Sequence, residues 1–412
     1  MRKLVAISLG ILAALTVLAV AAKTYPEKKP AAENADLPAV AVSINDFSAD
    51  LYGRLAKAKG NLFYSPASIS TALAMTYGGA AGKTAQEMKK TLRFSLDGDE
   101  LHKSFGAMLK RLVSTKKGCK VYIANALWGQ KDYTFLAPFL ALTKKSYGAG
   151  LRKVDFEKAT EKARKAINGW VEKKTMKKIR ELIKQGVLTA DSRLVLTNAI
   201  YFKGAWSTPF KKNNTEQESF RTAEAKDVTV DMMHLKDKTF RYAGKAGLSA
   251  LEMPYKGGGV SMVILLPEKK DGLPALEASL TSKMIDETVA SLEDTEMMDV
   301  AVPRFTTTYG LDLADTLKAM GMPSAFADAD FSGMTGTREL VISAVIHKAF
   351  VDVNEQGTEA AAATAVIMAK GGMKPSKPVF RADHPFLFLI RDTKTGAILF
   401  MGRITDPTAA SL

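Results

Sequence analysis

The sequence predicts a single α+β domain, and three observations carry that expectation. The chain has 412 residues, 47% of them hydrophobic, which is ample for a buried core and excludes a disordered protein over most of its length. Apolar, β-branched runs of strand length recur along it, interspersed with stretches whose apolar residues follow a helical period. No internal repeat and no second domain is visible.

The chain starts with basic residues Arg2 and Lys3, an apolar run over 4–20, and small residues Ala19, Ala21 and Ala22 where a signal peptidase would cut. The expectation is a signal peptide over 1–22 and a secreted protein, extracellular or periplasmic. A flexible leader rich in Ala, Pro, Lys and Glu over 23–39 then precedes a domain at 40–407 and a tail at 408–412. The apolar run is nearly long enough to span a bilayer, so a retained anchor is the alternative. Cys119 is the only cysteine, so no intrachain disulfide exists and packing must hold the fold. Beside Lys120, Val121 and Tyr122 it reads as a small packing residue rather than a nucleophile.

Ile44, Phe47, Leu51, Tyr52 and Leu55 recur at helical spacing and predict a first helix ending near Gly60. Residues 61–70 read as a strand, a Ser65-Pro66 turn and the start of a buried helix that continues over 71–77. Gly78-Gly79-Ala80-Ala81-Gly82-Lys83-Thr84 looks like a phosphate-binding loop. Its first glycine stands one residue too close to Gly82-Lys83-Thr84 and it follows a helix, so it is read as a helix-terminating turn.

Further on, 121–127 reads as a strand, 135–147 as a helix and 194–204 as a buried central strand in which Asn198 must find hydrogen-bond partners. Residues 228–233, 251–255 and 260–267 are strands, the last two joined at Gly257-Gly258-Gly259. Residues 340–353 form another buried strand, and 379–400 read as two strands joined by Thr393-Lys394-Thr395-Gly396.

The formal charge is +15. Much of the excess falls in 162–184, where Ala166, Ile167, Trp170, Val171, Ile179, Leu182 and Ile183 recur at helical spacing among Arg and Lys. A helix with one packed and one solvated face accounts for this. A polyanion site is the sharper alternative, but the segment lacks aromatics interleaved for base stacking. The four histidines, His102, His234, His347 and His384, show no metal-ligand spacing, and no Gly-x-Ser-x-Gly elbow occurs. The chain is therefore not read as an enzyme, and no metal or cofactor is expected. His347, in an apolar strand, reads as a core histidine.

The stretch 354–373 has two readings. Locally it is a capped helix, with Thr358 as N-cap, an alanine run and Gly371 as terminator. As a strand it would put Thr358, Ala360, Ala362, Thr364, Val366 and Met368 on one face. Small inward residues suit a strand that slides into an already formed sheet, and Gly357 can absorb the rotation this needs.

Glu355-Gln356-Gly357-Thr358-Glu359-Ala360-Ala361-Ala362-Ala363-Thr364-Ala365 resembles the hinge of the reactive-centre loop of an inhibitory serpin. Residues 194–210, 300–305, 311–320, 325–333 and 384–390 also match that family's patterns in order, so the resemblance covers roughly 40–407. It implies one large sheet and two smaller ones with helices packed on them, and an exposed loop. It implies a monomer that inhibits serine proteases as a suicide substrate, with no small-molecule substrate. Ser65, Ser68, Asn198 and His347 match the polar cluster beneath the opening sheet, and Trp206 and Arg304 the place where the loop starts to insert, with Glu355 paired to Arg304.

The family's common spacing puts the cut bond after Gly371. Lys370 offers a trypsin-like pocket a long cation, so the candidates for the reactive bond are Lys370, Gly371 and Gly372, with cleavage after Lys370 favoured. A non-inhibitory carrier or chaperone of the same family and a basic polyanion-binding protein are the alternatives. Charge or proline at inward hinge positions would favour the carrier, and Thr358, Ala360, Ala362 and Thr364 carry neither.

Overall fold

The structure, a computed structural model, describes residues 35–113, 118–148, 150–245, 247–358 and 377–409. Helix α1 (Leu37–Leu55) starts where Asp36 accepts the Ala39 amide and Pro38 lies in the first turn, and its face of Val40, Ile44, Phe47, Leu51 and Tyr52 is buried. It begins inside the stretch that composition marks as leader, because a cap and a proline fix a helix start more strongly than composition opposes it. Helix α2 (Pro66–Tyr77) is capped by Ser65, whose hydroxyl accepts the Ser68 amide, and is buried almost throughout. Gly78 closes it, and α3 (Gly82–Thr91) follows, so 78–81 is a turn between helices. Helices α4 (Gly98–Val113), α5 (Ala137–Tyr147) and α6 (Phe156–Lys174) complete the longer helices.

Two sheets organise the molecule. The six-stranded sheet runs β10 (Phe305–Asp312), β11 (Ile342–Asn354), β12 (Gly357–Thr358), β4 (Leu194–Ala205), β2 (Cys119–Gln130), β3 (Arg152–Val154). The nine-stranded sheet runs β1 (Leu62–Tyr64), β15 (Ile398–Ile404), β14 (Phe386–Asp392), β8 (Val260–Pro267), β7 (Leu248–Pro254), β6 (Asp227–Lys245), β9 (Glu293–Pro303), β13 (Val379–Arg381), with β5 (Thr215–Arg221) beside β6. The 19-residue β6 pairs with β5, β7 and β9 along different parts of its length, so the two smaller sheets of the expectation are continuous through it.

Strand β4 lies between covered faces and is buried along nearly all its length, which explains its unbroken apolar run. On one face of its sheet lie α2 and the main core; on the other Ile167 and Val171 of α6, with Ile179, Leu182, Ile183 and Leu188, pack against Val195, Ala199, Ala344 and Ile346.

The expectation of a continuous helix over 162–184 is corrected. Helix α6 stops at Lys174, Met176, Lys177 and Glu181 adopt positive φ, and no regular element covers 175–193. Burial of Ile179, Leu182 and Ile183 on the sheet holds this segment, and Asn168 and Arg164 of α6 hydrogen-bond the Ile183 backbone in place of a continued helical ladder; Ala166 is exposed. Tertiary packing here overrides a periodic pattern.

Candidate functional site at the seam of the six-stranded sheet

Strands β11 and β4 run parallel and pair from Ile342↔Leu194 to Phe350↔Tyr201. Beyond that point they part, and β12 enters between them, antiparallel to both, with Thr358 opposite Val353 and Gly204, and Gly357 opposite Asn354 and Ala205. The chain reverses through 354–357 to achieve this. Gly357 has φ +144°, and a Cβ there would lie 2.0 Å from the Gly204 carbonyl oxygen, so glycine alone fits.

Thr358 is fully buried, and its hydroxyl lies 2.7 Å from that of Tyr255. Burial pushes the Tyr255 phenol well above its ordinary pKa, so it stays a neutral hydrogen-bonding group. The Tyr255 ring stacks on Trp206 with centroids 4.4 Å apart. Trp206 donates its indole N–H to the Asn354 carbonyl (3.0 Å) and its backbone N–H to that of Gln356 (3.0 Å), and the Phe210 amide donates to the Glu355 carbonyl. The buried Glu355 carboxylate accepts from the Thr215 hydroxyl at 3.0 Å and lies 3.7 Å from Arg304, which is also 3.5 Å from Asp231.

Deeper along the seam lies a polar cluster. Asn198 on β4 donates to Ser68 Oγ (2.7 Å) and to Asn125 Oδ1 (2.6 Å) on β2. The His347 imidazole on β11 accepts the Ser65 amide through Nε2 at 3.2 Å, so Nδ1 carries the proton and donates to Asn198 Oδ1. Burial lowers the His347 pKa to about 3. The bond from the Ser65 amide acts in the same direction, because a proton on Nε2 would face another N–H. The cluster thus ties β4, β11, β2 and α2 together across the seam.

On the far side of the loop, the Lys377 ammonium lies 2.6 Å from Asp237 and 2.9 Å from Glu296. β13 then pairs in parallel with β9, and Arg381 bonds Glu218. The structure therefore brings together Ser65, Ser68, Asn198 and His347 in one cluster, and Trp206, Arg304, Glu355, Gly357 and Thr358 in another. Glu359, Ala360, Ala361, Ala362, Ala363, Thr364, Lys370, Gly371 and Gly372 lie outside the described residues, as does 1–22.

Sequence reasoning missed Tyr255, Thr215 and Asn125. Asn125 was within reach, since a lone asparagine in an apolar strand needs partners as Asn198 does. Tyr255 and Thr215 carried no such signal. Cys119 is buried and its thiol is pushed up to about 11, in keeping with an unreactive packing residue.

The model of the family described as Serpin (serine protease inhibitor) matches residues 42–407. The chain is 41% identical to Serpin B3 of Homo sapiens over 382 residues, covering 88% of this chain and 97% of that protein. It is 42% identical to leukocyte elastase inhibitor A of Rattus norvegicus over 372 residues, with the same coverage. Among solved structures, human thyroxine-binding globulin complexed with thyroxine superposes with a TM-score of 0.82 at 33% identity, covering 90% of this chain and all of that one. With a family model spanning nearly the whole described fold and relatives above 40% identity over almost their full length, the chain belongs to the serpin family.

Proposed function

We propose that this chain is an exported serine protease inhibitor that acts as a suicide substrate. The observation that supports this best is β12: the loop side of the hinge already occupies two positions between β11 and β4, in register with both. The seam beyond it is a parallel pair that an added antiparallel strand would convert into two antiparallel ladders, which are slightly more stable per residue.

In the proposed reaction the protease serine attacks the carbonyl carbon of the residue before the cut bond, and the amine of the next residue leaves with the C-terminal fragment. The N-terminal side, now an ester on the protease, continues the β12 strand into the sheet. About a dozen residues at ~3.3 Å each move the tethered enzyme on the order of 40 Å, and the drag distorts its active site before water can release it. The free energy comes from completing the sheet, so the uncut chain is metastable.

The hinge residues, Thr358 with Ala360, Ala362 and Thr364, favour insertion over the carrier or chaperone alternative, because no charge or proline has to enter the sheet. For the target we propose a trypsin-like protease cutting after Lys370. A second reading, an elastase- or subtilisin-like enzyme cutting after Gly371, gains weight from the similarity to leukocyte elastase inhibitor A. A polyanion partner for the net charge of +15 is a further alternative, and strong salt dependence of heparin retention would favour it. Export rests on residues 1–22; among the described residues no helix is long and apolar enough to cross a membrane.

Incubation with trypsin, elastase and subtilisin is expected to give an SDS-stable complex with at least one of them. Clean cleavage in the loop by all three, with no complex, would overturn the inhibitory reading.

A further inference from the structure

Tyr201 and Phe350 are the last direct partners of β4 and β11 before β12 parts the two strands. Their rings meet across the seam with centroids 5.8 Å apart at 62°. Tyr201 also stacks on Tyr122 of β2 at 5.3 Å, so an aromatic row crosses three strands of the sheet. Over it lies Lys178, from the irregular segment after α6. Its ammonium is 5.2 Å from the Phe350 ring and 6.0 Å from the Tyr201 ring, so one cation contacts a ring on each side of the seam.

The segment carrying Lys178 is held in place on both sides of it. The Ile179 amide donates to the Thr175 hydroxyl, Ile179 and Ile183 are buried against the sheet, and Lys348 of β11 donates to the Arg180 carbonyl at 3.1 Å.

We propose that Lys178, acting through Tyr201 and Phe350, is a latch that sets how fast a strand enters the seam. Extending the β12 register by three positions brings Ala361 opposite both Tyr201 and Phe350. Inserting a strand moves β4 and β11 from about 4.8 Å to about 9.6 Å apart. The ring contact must then break, and a single ammonium no longer reaches both rings. The latch therefore closes the uncut state and is lost in the inserted one, so its strength enters the insertion barrier. In the inhibitory reaction, on whose proposed reading this role rests, faster insertion favours trapping over release, and it also favours premature closure of the uncut chain.

The test uses no protease. The full chain is incubated with a synthetic peptide of residues 358–371, and uptake into the sheet is followed by native electrophoresis and by the rise in thermal stability. Lys178→Met is expected to take up peptide about three- to tenfold faster, the effect of losing one partly desolvated cation–aromatic contact. Lys178→Arg is expected to stay near wild type, as is Lys173→Met, which removes an equal charge from the exposed end of α6. In a Phe350→Leu background the Lys178→Met effect is expected to shrink, which a merely structural role would not produce.

Equal rates for Lys178→Met and wild type overturn the proposal, as does an equal acceleration by Lys173→Met or a wild type that takes up no peptide even on warming. If Lys178→Met accelerates uptake but neither protein forms a protease complex, the latch stands and the inhibitory reading falls. If both proteins form complexes and uptake is unchanged, the inhibitory reading stands and the latch falls.

Discussion

Thr358 shows at the scale of one side chain what the proposed insertion would demand. Its hydroxyl meets Tyr255 in a fully buried slot, where a threonine fits with its one polar group paired. Thr358→Arg would place a guanidinium there at a cost on the order of 3–5 kcal/mol, so the hinge is expected to stay outside the sheet. The variant should be cut as a substrate, and undiminished SDS-stable complex would contradict this.

The buried histidines make a second residue-scale prediction. Burial holds His347 at about 3 and His102 at about 4, against 6.5 for the free side chain. Both are neutral in the fold, while the unfolded chain takes up protons below about pH 6.5. Their contribution to stability is therefore complete above that pH and is lost as pH falls toward about 4 for His102 and about 3 for His347, with a slope of at most about 1.4 kcal/mol per pH unit for each. Urea unfolding near pH 7 and near pH 5 should show the loss, and His347→Gln should make the pH dependence shallower. An unchanged slope in that variant would remove His347 as the cause.

At the scale of elements, the turn between β11 and β12 is held by a charge pair whose two members are not equivalent. Arg304 is partly exposed and has Asp231 as a second partner, whereas the Glu355 carboxylate is buried with Thr215 as its other contact. Removing Glu355 leaves Arg304 paired; removing Arg304 leaves a buried carboxylate short of a cation. Arg304→Ala is thus expected to destabilise the turn more than Glu355→Ala, by about 1–3 kcal/mol. Both are expected to promote loop-sheet polymers on heating. Polymer growth followed by light scattering checks the order, and a faster Glu355→Ala would reverse the assignment of the dominant partner.

For the whole molecule, the proposed inhibition makes the cut position decide both the target and the length of strand available to drag it. Cleavage after Lys370 leaves thirteen residues counted from Thr358, and cleavage after Gly371 adds one. The mass of the C-terminal fragment that separates in SDS distinguishes them. A fragment beginning at Gly371 supports the trypsin-like reading, and one beginning further on, at Gly372, Met373 or Lys374, sinks it. Lys370→Ala is expected to abolish inhibition of trypsin while leaving a small-pocket protease largely inhibited.

The sequence by itself determined the class of the fold, the family and the identity of many residues at the seam. Each of these is written in local pattern: the unbroken apolar run of β4, the Ser65-Pro66 start of α2, the small residues after Gly357, and Asn198 stranded where only partners could keep it. Only the tertiary structure decided the rest. A helical period continued through Ile179 and Ile183, yet α6 ended at Lys174 because the sheet offered those side chains a burial site that needs no helix. The stretch 354–373 reads both as a capped helix and as a strand; the gap between β11 and β4 holds 357–358 in a ladder on both sides, and 359–373 lie outside the described residues. Tyr255, Thr215 and Lys178 join the site from segments distant in sequence, each through a contact with the seam. Such contacts exist only after the chain has folded, since no spacing or composition in a single sequence encodes which remote side chain will meet a given slot.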